Sequence, residues 1–136
     1  GHVFDFYKKL KEDPSKLDVL GDGNQRKSYL YVKDCVNAIL TAIAKSDVPI
    51  NIFNLGVDDS SKVTDSIGWI VDELNLNPEL MFAGGTRGWI GDSPHIHLSV
   101  DRIQSLGWKP SLTIEESVRA TVRWIRENEW VLETRN

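Results

Sequence analysis

The sequence alternates amphipathic helical segments with short apolar segments that end near glycine or proline, and this alternation constrains the fold most. Apolar residues recur every three or four positions in four long segments, which predicts helices at Val3–Leu10, Val32–Ile43, Val63–Leu74 and Ile114–Ile125. Short strands are predicted at Leu17–Leu20, Ser28–Tyr31, Ile50–Leu55 and Pro78–Phe82. The order of these elements predicts a small mixed domain of the α/β class.

Proline, glycine and helix-capping residues mark the predicted ends of these segments. Pro14 ends the first helix, because the residue before a proline is forced out of the helical conformation. Gly21–Gly23 predicts a turn and Gly84–Gly88 a glycine-rich loop. Asp101 is predicted to cap a short helix that stops at Gly107. Thr113 and the glutamate three residues later form a capping box for the last helix.

The amino-acid composition excludes several classes of function. The chain has 136 residues, 40% hydrophobic and 26% charged, which suits one globular domain. No apolar run approaches the ~18 residues of a membrane span, and the N-terminus lacks the pattern of a signal peptide. The net charge of −4 argues against nucleic acid as a partner. Cys35 is the only cysteine, so no internal disulfide can form, and we expect a cytoplasmic location.

Three stretches together resemble the C-terminal region of the extended short-chain dehydrogenases, the NAD-dependent epimerase/dehydratase family that includes UDP-glucose 4-epimerase and dTDP-glucose dehydratase. They are Gly21–Asp34 (GDGNQRKSYLYVKD), Asn51–Gly56 (NIFNLG), and Arg87 to Pro110 with its RGWIGDSP and LGWKP segments. Their order and spacing match the family over essentially the whole chain, which is more specific than any single motif.

The resemblance implies that this chain is the smaller substrate-binding domain of a longer enzyme, spanning residues 1–136. The larger Rossmann domain is expected to be absent, because no glycine-rich turn with dinucleotide-binding spacing follows a strand. NAD would therefore bind to the missing N-terminal half, and we expect no cofactor in this chain. The expected partners are a nucleotide sugar and that missing half. The family commonly dimerises through helices of the other half, which leaves a homodimer open.

The resemblance also implies a set of substrate-binding residues. Lys27 stands where the family usually has a phosphate-binding arginine, and Arg26 lies one position early. Because neighbouring strand residues face opposite sides, we expect only one of them to reach the ligand. Arg87 corresponds to a second phosphate-binding arginine, Asp92 would accept a ribose hydroxyl, and Leu20 would lie against the base.

Each of these residues also has a simpler structural interpretation. The cations could be solvated surface residues, Asp92 an ordinary turn aspartate and Leu20 part of the core. The three-residue segment Gly88-Trp89-Ile90 lengthens the family spacing between Arg87 and Asp92. The Trp89 indole could stack on a ligand or cover the loop, although a packed loop anchor is more common.

Two further patterns resemble functional sites without forming them. Tyr7 and Lys11 have the Y-x-x-x-K spacing of the family's catalytic pair, but Tyr7 lies on the apolar face of a helix. We therefore predict a core tyrosine and no catalytic residue in this chain. His95 and His97 would share one face of a strand, but zinc needs three or four ligands, so we predict no metal site.

The sequence thus favours the substrate-binding part of an NAD-dependent nucleotide-sugar epimerase or dehydratase, most similar to UDP-glucose 4-epimerase, which is inactive alone. Two arginines would contribute about 3–6 kcal/mol before ordering costs, at roughly 1.5–3 kcal/mol per charge-assisted hydrogen bond. Millimolar binding corresponds to about 4 kcal/mol, so we expect weak binding. The alternative is a free-standing module that binds a small molecule or a protein and has no catalytic parent.

Overall fold

Three long helices pack against a small parallel sheet in the computed structural model, which describes residues 1–93 and 98–134. The elements, in chain order, are α1 His2–Glu12, β1 Lys16–Val19, β2 Arg26–Lys27, α2 Val32–Lys45, β3 Ser61–Lys62, α3 Val63–Leu74, β4 Glu79–Phe82, α4 Asp101–Gln104, α5 Ile114–Glu127 and α6 Val131–Thr134. The mixed α/β class predicted from the sequence is confirmed.

The main core lies where α1, α3 and α5 meet β1. The predicted stripe of α5, which consists of Ile114, Val118, Val122 and Ile125, is buried there. The capping box of α5 is also confirmed: the Glu116 amide donates to Thr113 Oγ1 over 3.2 Å, and the Thr113 amide donates to Glu116 Oε2 over 2.8 Å. Local sequence signals therefore set both the start and the buried face of this helix.

The parallel sheet carries the glycine turn that shapes one side of the molecule. Strands β1 and β4 pair in parallel, with Leu17 opposite Leu80. Beyond β1 the chain turns through Gly21 and Gly23, whose φ angles of 76° and 77° suit glycine. The Gly84 amide donates to the Gly21 carbonyl over 3.0 Å, so the glycine-rich loop after β4 is bonded to this turn.

Two predicted strands are wrong. Residues 28–31 are irregular, and the strand lies earlier, at Arg26–Lys27, where it pairs with Ser61–Lys62 in an antiparallel arrangement. Residues 50–55 form no strand, and Ile50 and Ile52 are exposed. A strand needs a neighbour for its backbone N–H and C=O groups, and no described strand lies beside this segment.

Helix α2 forms as predicted, but its apolar face is not covered. Val36, Ile39 and Ile43 are 51%, 49% and 74% exposed. The buried residues of α2 are instead Asp34 and Ala38. The Asp34 carboxylate accepts the backbone N–H of Ser111 over 3.0 Å and its hydroxyl over 2.6 Å. Helix α2 is therefore attached to the domain through its other side.

Helix α4 runs from Asp101 to Gln104, so the predicted short helix is confirmed. It ends three residues before Gly107, which lies at the end of a turn and has a φ of 83°. The capping role of Asp101 is wrong, because Val100 occupies the N-cap position. The Asp101 carboxylate accepts a hydrogen bond from the Ser99 hydroxyl over 2.8 Å instead of one from a helix amide.

In the part of the chain described by the structure, no helix is both long and apolar enough to cross a bilayer.

Candidate functional site

A pocket of about 300 Å³ lies between α1, the segment around β2 and the glycine-rich loop 84–93. Its wall includes Leu20, Gln25, Lys27, Tyr29, Trp89 and Asp92. Three of the five predicted site residues, Leu20, Lys27 and Asp92, therefore meet at one place, although they are up to 72 positions apart in the chain.

Lys27 and Asp92 form an ion pair that joins β2 to the loop. The Lys27 ammonium donates to Asp92 Oδ1, and it also donates to the Ser93 carbonyl over 2.6 Å. The second carboxylate oxygen of Asp92 accepts the Gly88 amide over 3.0 Å. The side chains are only 22% and 10% exposed. The hydrogen bond from Lys27 is the main reason why the pKa of Asp92 is lowered, so this carboxylate is ionised at neutral pH.

Arg26 points away from the pocket. Its Nε donates to Ser60 Oγ over 2.9 Å, and its Nη2 donates to the Ser60 carbonyl over 2.6 Å. The side chains of Arg26 and Lys27 thus diverge, as expected for neighbours on a strand. Of the two adjacent cations, Lys27 alone lines the pocket.

Arg87 belongs to the loop but not to the pocket wall. Its side chain is exposed, and its Nη1 makes a long contact of 3.4 Å to the Ile90 carbonyl. Its positive charge contributes, after the bonds from Lys27 and Gly88, to the lowered pKa of Asp92. The structure therefore brings Arg87 near the Lys27–Asp92 pair while leaving its guanidinium open to solvent.

Gln25 is a pocket residue to which sequence reasoning assigned no role. It is 4% exposed, its Nε2 makes a 3.4 Å contact to the Leu20 carbonyl, and its Oε1 finds no partner among the described residues. A Cβ at Gly21 would lie 1.7 Å from Gln25 Nε2, so glycine is needed to seat this amide. The signal was available in the alternation of residues: Gln25, Lys27 and Tyr29 are spaced by two and line the same pocket.

Two neutral rings form another part of the wall. The His2 ring stacks on Tyr29 with centroids 4.0 Å apart and planes 13° apart. Burial and then the N-terminal ammonium lower the pKa of His2 to about 4. Burial and then the Asp92 charge raise the pKa of Tyr29 to about 12. Both rings are uncharged at neutral pH, so the charge of this pocket comes from the other side chains of its wall, which include the acidic Asp5 and Asp92 and the basic Lys9 and Lys27.

The Y-x-x-x-K pair does not form a catalytic arrangement. Tyr7 is buried, its hydroxyl donates to Glu129 Oε1 over 2.7 Å, and Lys11 Nζ contacts the same carboxylate at 2.8 Å. Burial and the bond to Glu129 raise the pKa of Tyr7 to about 12, which opposes proton loss at neutral pH. The predicted core tyrosine is confirmed.

His95 and His97 lie outside the described residues. Within residues 1–93 and 98–134, no group of three or more His, Cys, Asp or Glu side chains is gathered as a metal-ion site would require.

Comparisons with known proteins identify what the chain is similar to. Residues 1–56 match the model of the NAD dependent epimerase/dehydratase family. The mouse dTDP-D-glucose 4,6-dehydratase is 32% identical over 129 residues, which cover 88% of this chain and 34% of that protein. A crystal structure of a UDP-galactose 4-epimerase is 35% identical with a TM-score of 0.80, covering 94% of this chain and 41% of the other.

A second solved structure is UDP-glucose 4-epimerase from Thermotoga maritima with UDP-glucose. It is 26% identical with a TM-score of 0.80, over 94% of this chain and 40% of the other. This chain thus spans about a third of the curated relative and about two fifths of the solved structures. The matches together show similarity to proteins of the NAD-dependent epimerase/dehydratase family.

Proposed function

We propose that this chain, related to the NAD-dependent epimerase/dehydratase family, is the C-terminal, nucleotide-sugar-binding part of such an enzyme. The observation that carries the proposal is the Lys27–Asp92 pair, which joins strand β2 and the glycine-rich loop at one pocket. Two segments distant in sequence thereby present a cation, a carboxylate and an apolar side chain to the same space.

Each proposed contact follows from the chemistry of a nucleotide sugar. A diphosphate that leaves water needs cations or backbone N–H donors, and Lys27 and the solvent-exposed Arg87 can supply them. Asp92 is ionised and can accept a ribose hydroxyl. Leu20 is 58% exposed and can lie against the base. Arg26 remains the weaker candidate, because its side chain lies outside the pocket and its guanidinium is bound to Ser60.

The NAD of the family would supply the hydride acceptor for oxidation at the sugar. The glycines after β1 do not suit a dinucleotide, because the turn at Gly21–Gly23 leads into β2 and not into a helix. We therefore place the cofactor in the missing half, and we expect no turnover by this chain alone. Its role is to hold the nucleotide so that the sugar meets the cofactor. We favour an activity like that of UDP-glucose 4-epimerase.

The uncovered side of α2 supports a missing partner domain. Three apolar residues of this helix, Val36, Ile39 and Ile43, are between 49% and 74% exposed, and Ile50 and Ile52 nearby in the chain are 77% and 71% exposed. Ile39 and Ile43 share a pocket wall with Asn51 and Phe53, so the two segments adjoin. Contiguous exposed apolar surface marks an interaction site in a globular protein. We assign it to the N-terminal Rossmann half of the enzyme.

Titration of the isotopically labelled chain with UDP-glucose, dTDP-glucose and GDP-mannose, followed by NMR, tests the proposal. We expect shifts confined to residues 20–29 and 84–93 and dissociation constants near the millimolar range. Arg87→Gln should weaken binding at least about 10-fold, since a charge-assisted hydrogen bond contributes roughly 1.5–3 kcal/mol. Arg102→Gln, on α4, is the matched control. Shifts that avoid both segments would contradict the site and favour a free-standing binding module.

A further inference from the structure

Trp89 occupies the part of the loop that lengthens the spacing between Arg87 and Asp92. Its indole lines the pocket and yet is 66% exposed. A Cβ at Gly91 would lie 2.3 Å from Trp89 Cζ3 and 2.7 Å from Cη2, so the ring rests directly on the glycine backbone. The Asp92 amide also donates to the Trp89 carbonyl over 3.0 Å. The backbone around Trp89 thus orients the indole while much of its surface stays uncovered.

The surroundings of Trp89 indicate that a ligand covers it. Leu20, a second large apolar side chain on the same pocket, is 58% exposed. Gln25, which borders this pocket, is 96% buried and keeps an amide oxygen without a partner among the described residues. Leaving such a buried group unsatisfied is unfavourable, and rotation of the Gln25 amide toward a polar atom of a bound molecule would relieve it. Two exposed apolar side chains and one unpaired amide suit a flat ring with a polar edge.

We propose that Trp89 contacts the ligand directly and stacks on the base of the bound nucleotide, with Leu20 on the same base and Gln25 at its polar edge. This inference rests on the proposed function, because it assigns a further specificity-determining residue to the same pocket. The base contact is separate from the Lys27–Asp92 pair, so base and diphosphate can be probed independently.

Two simple probes separate the base from the phosphates: UDP, and inorganic pyrophosphate, which has no base. Trp89→Ala should lower the affinity for UDP about 10-fold, since stacking of a base on an aromatic side chain contributes roughly 1–3 kcal/mol. Trp89→Phe keeps an aromatic face and should retain most of the affinity for UDP that Trp89→Ala loses. Binding of pyrophosphate should be unchanged in both variants. Trp124→Ala, which removes an indole 50% exposed on α5, is the matched control and should leave UDP binding unchanged.

Three outcomes would overturn the inference. If UDP binds at the pocket with the same affinity to Trp89→Ala, the indole does not contact the base, and the proposed function still stands. If Trp89→Ala weakens UDP and pyrophosphate equally, the residue acts through the shape of the loop instead of through the base. If neither probe shifts residues 20–29 or 84–93 in the unmodified chain, the proposed function fails together with the stacking contact.

Discussion

At the scale of single residues, Asp92 organises the site. One carboxylate oxygen accepts a hydrogen bond from the Lys27 ammonium, and the other accepts one from the Gly88 amide. A single side chain therefore connects two parts of the glycine-rich loop to each other and to β2. Because this carboxylate is only 10% exposed, solvent screens its bonds less than those of a surface pair. The loop that carries Arg87 and Trp89 therefore depends on the charge of Asp92.

Asp92→Asn should lower the free energy of unfolding by roughly 1.5–3 kcal/mol at pH 7, the net contribution of a hydrogen bond between charged groups. The folded-state pKa of Asp92 is lowered, so its stabilising contribution is complete above the ordinary carboxyl pKa of about 3.9 and is lost as the pH falls through the lower folded-state value. Urea unfolding at pH 7 and pH 3 should show the difference shrinking in acid. Asp47→Asn, at an exposed position, is the control. A difference independent of pH would contradict this role.

At the scale of elements, α5 is stabilised by three features of its own sequence. A capping box lies at its first turn, its apolar stripe is buried, and basic side chains on its outer surface form ion pairs with acidic residues of α3. Arg119 Nη1 donates to Asp72 Oδ2 over 2.6 Å, and Arg123 Nε donates to Glu73 Oε1 over 2.8 Å. In each ion pair one partner is more than half exposed, so each contributes little free energy, and the cap and the apolar stripe contribute most to the stability of α5.

Thr113→Ala should destabilise the chain by about 1 kcal/mol, because it leaves the Glu116 amide at the helix start without its acceptor. Thr41→Ala makes the same chemical change inside α2 and should have little effect, since alanine favours a helix interior. Thermal unfolding followed by circular dichroism compares the two. Equal effects would show that the loss at Thr113 does not arise from capping.

At the scale of the whole molecule, the domain has one well-covered core and one uncovered side. Ile70 of α3 is fully buried, whereas Ile43 of α2 is 74% exposed. A second, smaller core of Ala38, Val100, Ile103 and Trp108 holds the inner side of α2. The outer side of α2 adds little to the stability of this chain, which is consistent with the proposed partner half.

Ile43→Ala should change the free energy of unfolding by less than about 0.5 kcal/mol, as at other exposed positions. The same substitution at Ile70 should cost about 2–5 kcal/mol, because it empties a packed core. Urea denaturation of both variants measures the contrast. A large loss for Ile43→Ala would show that the outer side of α2 is covered in solution, as self-association would cause.

The sequence by itself determined the four long helices, the α5 cap, the buried stripe of α5, the glycine turn after β1 and the strand at Pro78–Phe82 to within one residue. These features depend on periodicity and on contacts between residues close in the chain, so a single sequence displays them. It also pointed to Lys27 and Asp92 through family position, but not to the bond between them.

Only the tertiary structure decided which strands pair, which face of α2 is covered and which side chains share a pocket. The strand at Arg26–Lys27 exists because Ser61–Lys62 lies beside it, and residues 50–55 remain irregular because no described strand does. The spacing by two places Gln25 on the same side as Lys27 and Tyr29, but only the fold shows that loop 84–93 lies against that side and completes the pocket. Each of these outcomes depends on a partner distant in sequence, and no local pattern encodes where such a partner will lie.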